Sequence, residues 1–253
     1  MSNYSSYKKQ KLLTESWRKF INEAQEQKKV FVLVGPPSVG KSTWIRNTFG
    51  TVVPYIINRD DIAESVASEY GWTYDDMFVA PPQDASMGDV NEKYGSVVRS
   101  PPFMTWQPLS FSKVLEANNK VQKLFSERVA GASTSNKDIV VDMTNMNAGA
   151  RKAALKPIEG KEGEYKKIAV VFEFQGAEEL IIQIANKRAE VAKQMGKAKT
   201  VPEAAIRRMF AAYQQVSPTE GFDEIVSVDN RATFQDLISG NKQITITEKK
   251  KKD

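Results

Sequence analysis

The residues best suited to chemistry stand in one short segment near the start of the sequence, residues 35–42. Their order, GPPSVGKS, fits the pattern G-x-x-x-x-G-K-[ST], and they directly follow the apolar run VFVLV at residues 30–34. In this pattern, backbone N–H groups of the loop and the N-terminus of the next helix surround an anion. Lys41 would reach the terminal phosphates of a nucleoside triphosphate, and the Ser42 hydroxyl would ligate Mg²⁺. The sequence therefore predicts a phosphate-binding loop (P-loop) between a strand and a helix.

Carboxylates follow two further apolar runs. Asp60 and Asp61 come after the run at residues 52–57, where a carboxylate facing the γ-phosphate could accept a proton from an attacking hydroxyl. The same two residues could instead be a helix N-cap and a first-turn acid, positions that Asp favours. Asp142 ends the run at residues 139–142, where it could hold Mg²⁺ directly or through water, or could simply close the strand as a turn residue.

A cluster of positive charge lies in residues 187–199. Five cations stand there against the single acid Glu190: Lys187, Arg188, Lys193, Lys197 and Lys199. In phosphoryl transfer, cations that close over the reacting phosphate stabilise the charge on its oxygens. We interpret residues 187–200 as such a lid, with a solvated basic loop as the alternative.

Composition narrows the possible chemistry. The sequence of 253 residues contains no Cys and no His. Disulfides, thiolate catalysis and cysteine-based metal sites are therefore excluded, and so is the commonest general base. Any proton transfer must fall to Asp, Glu, Lys or Tyr.

Charge and hydropathy bear on location and partners. No stretch approaches the ~20 consecutive apolar residues of a membrane span, and residues 1–11 lack the apolar core of a signal peptide. We therefore expect a soluble, cytoplasmic protein without a membrane partner. The net charge of +5 comes from the two termini. The run KKKK at residues 249–252 is interpreted as a solubilising tail, with electrostatic contact to nucleic acid as the alternative.

The elements that must position these residues follow from periodicity. Apolar runs predict strands at residues 30–34, 52–57, 139–142, 168–174 and 224–228; helical spacing predicts helices at 14–28, 41–50, 60–70, 111–129, 147–156, 177–192 and from Pro202 onward. Strands that are apolar throughout and alternate with helices indicate an α/β fold, a P-loop NTPase-type parallel sheet with helices on both faces. Ligands bind such sheets at the carboxyl ends of the strands, so Gly35 of the P-loop, residues 58–60 and Asp142 should converge on one cleft.

The remaining segments set the predicted domain boundaries. Residues 71–110 carry five prolines and scattered aromatics, including Trp72, Phe78, Phe103 and Trp106. We expect them to form a long insertion after the second helix, either functional or merely packed on the surface. The kinase-like domain would span residues 30–240, after an N-terminal helical extension at 1–29. Residues 241–253 would hold an edge strand at 244–247 and the basic tail.

The sequence resembles the polynucleotide 5′-hydroxyl kinases, both the phage type and the kinase domain of the animal kinase-phosphatase. The resemblance covers most of residues 30–228 outside the insertion. The motifs that carry it are GPPSVGKSTW at 35–44, NRDD at 58–61, VVDMTN at 140–145, NKR at 186–188, and VPEAAIRRMFAAYQ at 201–214 followed by SPTEGFDEI up to residue 225. It implies ATP-dependent phosphorylation of the 5′-hydroxyl end of DNA or RNA, in nucleic-acid end repair.

The resemblance also implies roles for individual residues. Asp60 would be the general base, Lys41 the phosphate clamp and Arg188 the lid cation. The residues expected to bind ATP are Gly35, Pro36, Pro37, Ser38, Val39, Gly40, Lys41, Ser42, Thr43 and Arg188, and the expected Mg²⁺ ligands are Ser42 and Asp142.

The sequence departs from this family at three points. The phage type has an arginine three residues after the base that helps to hold the acceptor. This chain has Ala63 at that position. The animal type lacks the arginine too. A second lid arginine of the phage type has no clean match, although Lys193 and Lys197 lie nearby. The phosphatase motif D-x-D-x-[TV] does not occur, which indicates a kinase without that partner activity.

Two alternatives stay open at this stage. One is a related P-loop kinase of a small molecule, such as a nucleoside or a sugar nucleotide. The other is a non-catalytic nucleic-acid-binding module with a kinase-like fold, which would lack the base that Asp60 supplies here.

Overall fold

A computed structural model describes residues 27–78, 86–94, 98–100, 105–107, 112–229 and 247–249. The predicted helix at residues 14–28 lies outside these residues except for its last two positions. Lys28 already belongs to the first strand, where it pairs with Tyr165. Phe103 of the insertion also lies outside the described residues.

The strands form one main sheet and a separate pair. They are β1 (Lys28–Val34), β2 (Tyr55–Ile57), β3 (Val98–Ser100), β4 (Thr105–Gln107), β5 (Ile139–Val141), β6 (Tyr165–Phe172), β7 (Glu224–Asp229) and β8 (Thr247–Lys249). The main sheet has the order β2-β5-β1-β6-β7-β8. Its first five strands are parallel, and β8 is antiparallel to β7 at the edge. Strands β3 and β4 pair antiparallel with each other.

Helices cover both faces of this sheet. The helices are α1 (Lys41–Phe49), α2 (Arg59–Glu69), α3 (Tyr74–Phe78), α4 (Met87–Tyr94), α5 (Ser112–Gly131), α6 (Ala148–Ala154), α7 (Glu178–Gln194) and α8 (Glu203–Ala211). Residues of α1, α7 and α8 pack on one face, and residues of α5 and α6 pack on the other. The central strand β1 is buried from Val30 to Val34, as expected of a parallel strand covered on both sides. The predicted α/β P-loop NTPase-type fold is confirmed.

Several element boundaries differ from the sequence prediction. Strand β2 begins at Tyr55 rather than at residue 52, because Pro54 has no N–H to donate to a neighbouring strand, and Val52 and Val53 stay exposed. Strand β6 covers residues 165–172 rather than 168–174, since it pairs with β1 along the whole of that strand. The edge strand lies at 247–249, whereas residues 244–246 of the predicted one lie outside the described residues.

The insertion contains more regular structure than its sequence indicates. Its described parts hold α3, α4 and the β3–β4 pair. Trp72 is 9% exposed and packs in a cluster with residues of α2 and α5, including Val66 and Val121. Phe78 is 40% exposed. At Trp72, therefore, the aromatic serves packing.

A buried ion pair lies on the α6 side of the sheet and was not predicted. Arg151, in α6, is fully buried and donates to both carboxylate oxygens of Glu220 at 2.6 and 2.8 Å. It also donates to the backbone oxygens of Asn145 and Gln214 at 3.2 and 3.0 Å. The Ser217 N–H donates to Glu220 at 2.8 Å. The pair thus ties together the segment after β5 and the loop before β7.

Glu220→Gln should lower the free energy of unfolding at pH 7 by about 3 kcal/mol, because it leaves a buried guanidinium without its counter-charge. Arg151 lowers the pKa of Glu220 below its ordinary 4.5. The pair's contribution is therefore fully present above pH 4.5 and is lost as the pH falls through the lowered pKa. Urea unfolding of both proteins at pH 7, 4 and 3 should show the difference shrinking with acid.

Glu162→Gln is the matched control, since its carboxylate is also held by hydrogen bonds but is exposed. It should change stability little. A difference for Glu220→Gln that stays constant from pH 7 to pH 3 would contradict the assignment.

Candidate active site

The P-loop connects β1 to α1 in the conformation that an anion cradle requires. Ser38 and Gly40 have φ angles of 64° and 98°, in the left-handed region that turns successive N–H groups to one side. A Cβ on Gly35 would lie 2.9 Å from Val39 Cγ1 and 3.3 Å from Phe172 Cβ, so the loop closes tightly only with glycine there. The loop geometry suits a phosphate group.

The base of the loop is fixed by the segment that follows β5. The Gly35 N–H donates to the Thr144 carbonyl at 3.0 Å. The Asn145 side chain, itself buried, donates from Nδ2 to the Leu33 carbonyl at 2.8 Å. Asp142 belongs to the same segment, so these bonds also fix its position beside the loop.

Lys41 bends back onto its own loop. Its Nζ donates to the carbonyls of Gly35 and Pro36 at 3.0 and 2.8 Å. Burial lowers the pKa of Lys41 to about 8, and the nearby carboxylates of Asp142 and Asp60 oppose this shift. The amine is therefore close to both acids while its hydrogen bonds go to the loop, and a phosphate in the cradle would be a better partner.

The two predicted Mg²⁺ ligands lie after β5 and at the start of α1. Asp142 follows β5, is 9% exposed, and accepts a hydrogen bond from Asn58 Nδ2 at 3.3 Å. Burial raises the pKa of Asp142, with smaller contributions from Asp61 and Asp60. Ser42 lies exposed in the first turn of α1. A cation near Asp142 would favour its charged form, so the site suits a metal ion.

Among the described residues, no group of three or more acidic side chains could hold a metal ion alone. Mg²⁺ usually takes one or two protein oxygens and completes its shell with phosphates and water. Ser42 and Asp142 would hold the ion beside the loop. There it would neutralise charge on the phosphates.

Asn58, and not an aspartate, caps helix α2. Its Oδ1 accepts from the N–H groups of Asp60 and Asp61 at 2.9 and 3.4 Å. Both aspartates lie in the first turn, where the helix dipole favours acids. The prediction that one of these aspartates is the N-cap is therefore wrong, and both are first-turn acids. The capping role of Asn58 was not predicted, although Asn is a preferred N-cap residue.

The side chain of Asp60 has partners outside its own helix. Its Oδ1 accepts from the Tyr74 hydroxyl at 3.2 Å, and its Oδ2 lies 3.7 Å from Lys199 Nζ. The side chain is 52% exposed. Tyr74 belongs to the insertion, and no local sequence signal connected it with the base.

The basic segment divides between a helix and the loop after it. Helix α7 continues to Gln194, so Lys187, Arg188 and Lys193 lie on the helix. Arg188 Nη1 donates to the Ser38 hydroxyl of the P-loop at 3.3 Å. Lys199 lies in the following loop and reaches Asp60 and Glu64. The structure thus brings Asp60, Asp142, Arg188 and Lys199 close to the Lys41 amine, and we call this group of residues and the P-loop the cleft.

The fold and this cleft define a P-loop protein of kinase-like type. The family model of the AAA domain matches residues 30–216, and the chain belongs to this P-loop kinase-like family. Proteins of this family generally use ATP and Mg²⁺. No curated protein matches the sequence.

Two solved structures are similar to this chain at low sequence identity. One is a chain from the PezAT chromosomal toxin–antitoxin system of Streptococcus pneumoniae, with 12% identity, a TM-score of 0.48, and coverage of 80% of this chain and 69% of that one. Another is a gluconokinase from Sinorhizobium meliloti 1021, with 12% identity, a TM-score of 0.31, and coverage of 86% and 91%. Both TM-scores are below 0.5, and neither similarity bears on the substrate. No helix within the described residues is long and apolar enough to cross a membrane.

Nucleotide binding should take up protons above pH 8. In the free protein the pKa of Lys41 is about 8, and phosphates beside its Nζ would raise it again. Above pH 8 the free amine is neutral and the bound amine is charged, so affinity falls as the pH rises. Titration calorimetry with ATP near pH 9, in two buffers of different ionisation enthalpy, measures the uptake.

Lys41→Met is the control for this measurement, because it keeps the length of the side chain and removes its proton. Its binding heats should be the same in both buffers. Equal heats for the wild-type protein would show that Lys41 does not change its charge on binding.

Proposed function

We propose that this protein transfers the γ-phosphoryl group of ATP to the 5′-hydroxyl end of DNA or RNA, as in nucleic-acid end repair. One observation carries the proposal. The Asp60 carboxylate lies in the same cleft as the P-loop lysine, while Asn58 takes over the capping of its helix. In a chain without histidine, a carboxylate in this position is the natural general base.

Each group in the cleft has a part in the transfer. The acceptor hydroxyl would lie between Asp60 and the P-loop, and Asp60 would take its proton as the oxygen attacks the γ-phosphorus. The bond from that phosphorus to the β–γ bridging oxygen would break, and ADP would leave. Lys41 would exchange its bonds to loop carbonyls for bonds to the phosphate oxygens. Arg188, already in contact with Ser38, would stabilise the charge on the group in flight.

The polynucleotide acceptor is supported by the NRDD, VVDMTN and NKR motifs together with the surroundings of Asp60. The ring of Tyr74, which bonds to Asp60, lies 4.6 Å from the ring of Phe78, and Phe78 is 40% exposed. An aromatic ring beside the base suits stacking with a nucleobase. Ala63 is fully buried, so the position of the phage-type arginine faces the core here. Contacts to the acceptor's phosphates must come from other residues.

Incubation with γ-labelled ATP and a panel of acceptors tests the proposal. The panel contains DNA and RNA oligonucleotides with a 5′-hydroxyl, the same oligonucleotides with a 5′-phosphate, nucleosides and sugars. Label should enter only the 5′-hydroxyl oligonucleotides. Label in a nucleoside or sugar alone would favour a small-molecule kinase. Oligonucleotide binding without any ATP turnover would favour a non-catalytic module.

Asp60→Asn should lower kcat by about a hundredfold or more, because the amide cannot accept the proton. The dissociation constant of ATP should stay within several-fold, since Asp60 does not belong to the P-loop. Asp61→Asn is the control one position along the same helical turn and should be far milder. A severe loss of turnover in Asp61→Asn, with unchanged turnover in Asp60→Asn, would show that Asp61 is the base and that the assignment to Asp60 is wrong.

Arg188→Ala should lower kcat by about a hundredfold, the usual effect of removing one donor to the charge that develops in the transition state. The KM for ATP should change much less. Lys187→Ala removes the same charge from the neighbouring, exposed position and should leave kcat close to wild type. Equal losses in the two variants would indicate that the helix supplies only a diffuse positive field.

A further inference from the structure

Asp60 is held by two segments that are distant from it in the sequence. Tyr74, in α3, donates its hydroxyl hydrogen to Oδ1 at 3.2 Å. Lys199, in the loop after α7, approaches Oδ2 at 3.7 Å. Burial, and then the charge of Asp60, raise the pKa of Tyr74, so its hydroxyl keeps its proton and remains a donor. Each oxygen of the carboxylate therefore has a partner from a separate element.

The same two segments are bonded to each other. The Thr200 N–H and hydroxyl donate to the two oxygens of Asp75 at 2.6 and 2.7 Å. In return, the Asp75 N–H donates to the Ala198 carbonyl at 3.2 Å. These three bonds enclose Lys199 between Ala198 and Thr200. They therefore fix the backbone that carries it.

Neighbouring groups hold Tyr74 and Lys199 in place. The Tyr74 ring packs against Phe78 with a centroid distance of 4.6 Å, and Lys199 Nζ lies 4.9 Å from the Tyr74 centroid. Lys199 Nζ is in direct contact with Glu64 and more distant from Asp60. Lys199 is thus held by Glu64 and the Tyr74 ring in a position from which it also reaches Asp60.

We propose that Tyr74 is a positioning residue for Asp60, and that the contact of Asp75 with Thr200 keeps Lys199 beside the same carboxylate. We call Tyr74, Asp75, Lys199 and Thr200 the acceptor-side bracket. This inference rests on the proposed function, because it assigns the bracket the task of orienting the base. A half-exposed carboxylate in a first helical turn is otherwise free to rotate about its side-chain bonds. The bracket limits it to orientations that present an oxygen to the acceptor.

The bracket gives part of the insertion a functional role. Helix α3 lies near the start of the insertion. It contacts Asp60 through Tyr74, and it contacts the loop after α7 through Asp75. If that loop moved away from α3, Lys199 would leave Asp60 at the same time. The base is therefore fully oriented only while the loop is docked.

Tyr74→Phe tests the positioning role, because it removes one hydroxyl and keeps the ring that packs on Phe78. We expect kcat to fall roughly tenfold, the size of one hydrogen bond to a charged group, with the KM for ATP and the melting temperature unchanged. Tyr70→Phe is the matched control, since the Tyr70 hydroxyl also bonds a carboxylate, that of Glu116 at 2.9 Å, away from Asp60. It should keep wild-type kcat. In the Asp60→Asn background, Tyr74→Phe should cause no further loss.

Wild-type kcat in Tyr74→Phe, or the same loss with and without Asp60, would overturn the positioning role. A lower melting temperature that accounts for the lost activity would overturn it too.

Hydrogen exchange tests the Asp75 contact without any assay of activity. In the wild-type protein the Thr200 amide should be protected, and Asp75→Ala should remove that protection. The same variant should lower kcat, whereas Asp89→Ala, at an exposed acid of helix α4, should change neither. Protection of Thr200 that survives Asp75→Ala would overturn this part of the proposal.

The two proposals can fail separately. If the wild-type protein phosphorylates a sugar or nucleoside and no oligonucleotide, the proposed function fails, and the variants are compared on that acceptor. If no acceptor is phosphorylated, they are compared on transfer to water, measured as ATP hydrolysis. In each case, a fall in kcat in Tyr74→Phe that disappears in the Asp60→Asn background supports the bracket. If kcat does not fall in this way, the bracket is overturned. The substrate assignment is decided separately, by the acceptor panel.

Discussion

The active cleft depends on the attachment of the P-loop to the segment after β5. Two bonds make that attachment, from the Gly35 N–H to Thr144 and from the Asn145 amide to Leu33. They fix the phosphate cradle and Asp142 as one unit, because both belong to the joined segments. Asn145 needs a left-handed backbone with φ of 47° to make its bond, and Arg151 supports that conformation by donating to its carbonyl. The buried ion pair of Arg151 thus helps to fix Asn145, which in turn fixes the base of the P-loop.

Asn58 extends this unit to the acceptor side. Its oxygen caps α2 and its nitrogen donates to Asp142, so one side chain connects the helix that carries Asp60, the proposed base, to the predicted metal ligand. The capping bond also frees Asp60 from bonding its own helix. Replacement of Asn58 would therefore affect both the stability of α2 and the distance between Asp60 and Asp142.

The sequence predicts those parts of the site that depend on local patterns. The P-loop follows one apolar run, Asp142 ends another, and Asp60 lies three positions beyond a third. Parallel strands bring their carboxyl ends to one edge whatever the intervening chain does. Tyr74 and Thr200 are different, since the bond from Thr200 to Asp75 spans 125 positions and neither segment has a repeating pattern. Arginine is a residue type typical of exposed helix positions, and Arg151 is buried here beside its counter-charge Glu220, 69 positions away. Contacts of this kind are set by tertiary packing, which no local motif records.

The electrostatics of the cleft indicate a site organised for a ligand rather than for stability. Burial lowers the pKa of Lys41 and raises that of Asp142, so each group is held in surroundings that disfavour its own charge. Like charges add to both shifts, from Arg188 and Lys199 on the lysine and from Asp60 and Asp61 on the acid. A polyphosphate beside the amine and a cation beside the carboxylate would reverse both effects at once. The residues that weaken the free protein are thus the ones that a metal–nucleotide complex would stabilise, the trade-off between stability and function expected at a preorganised site.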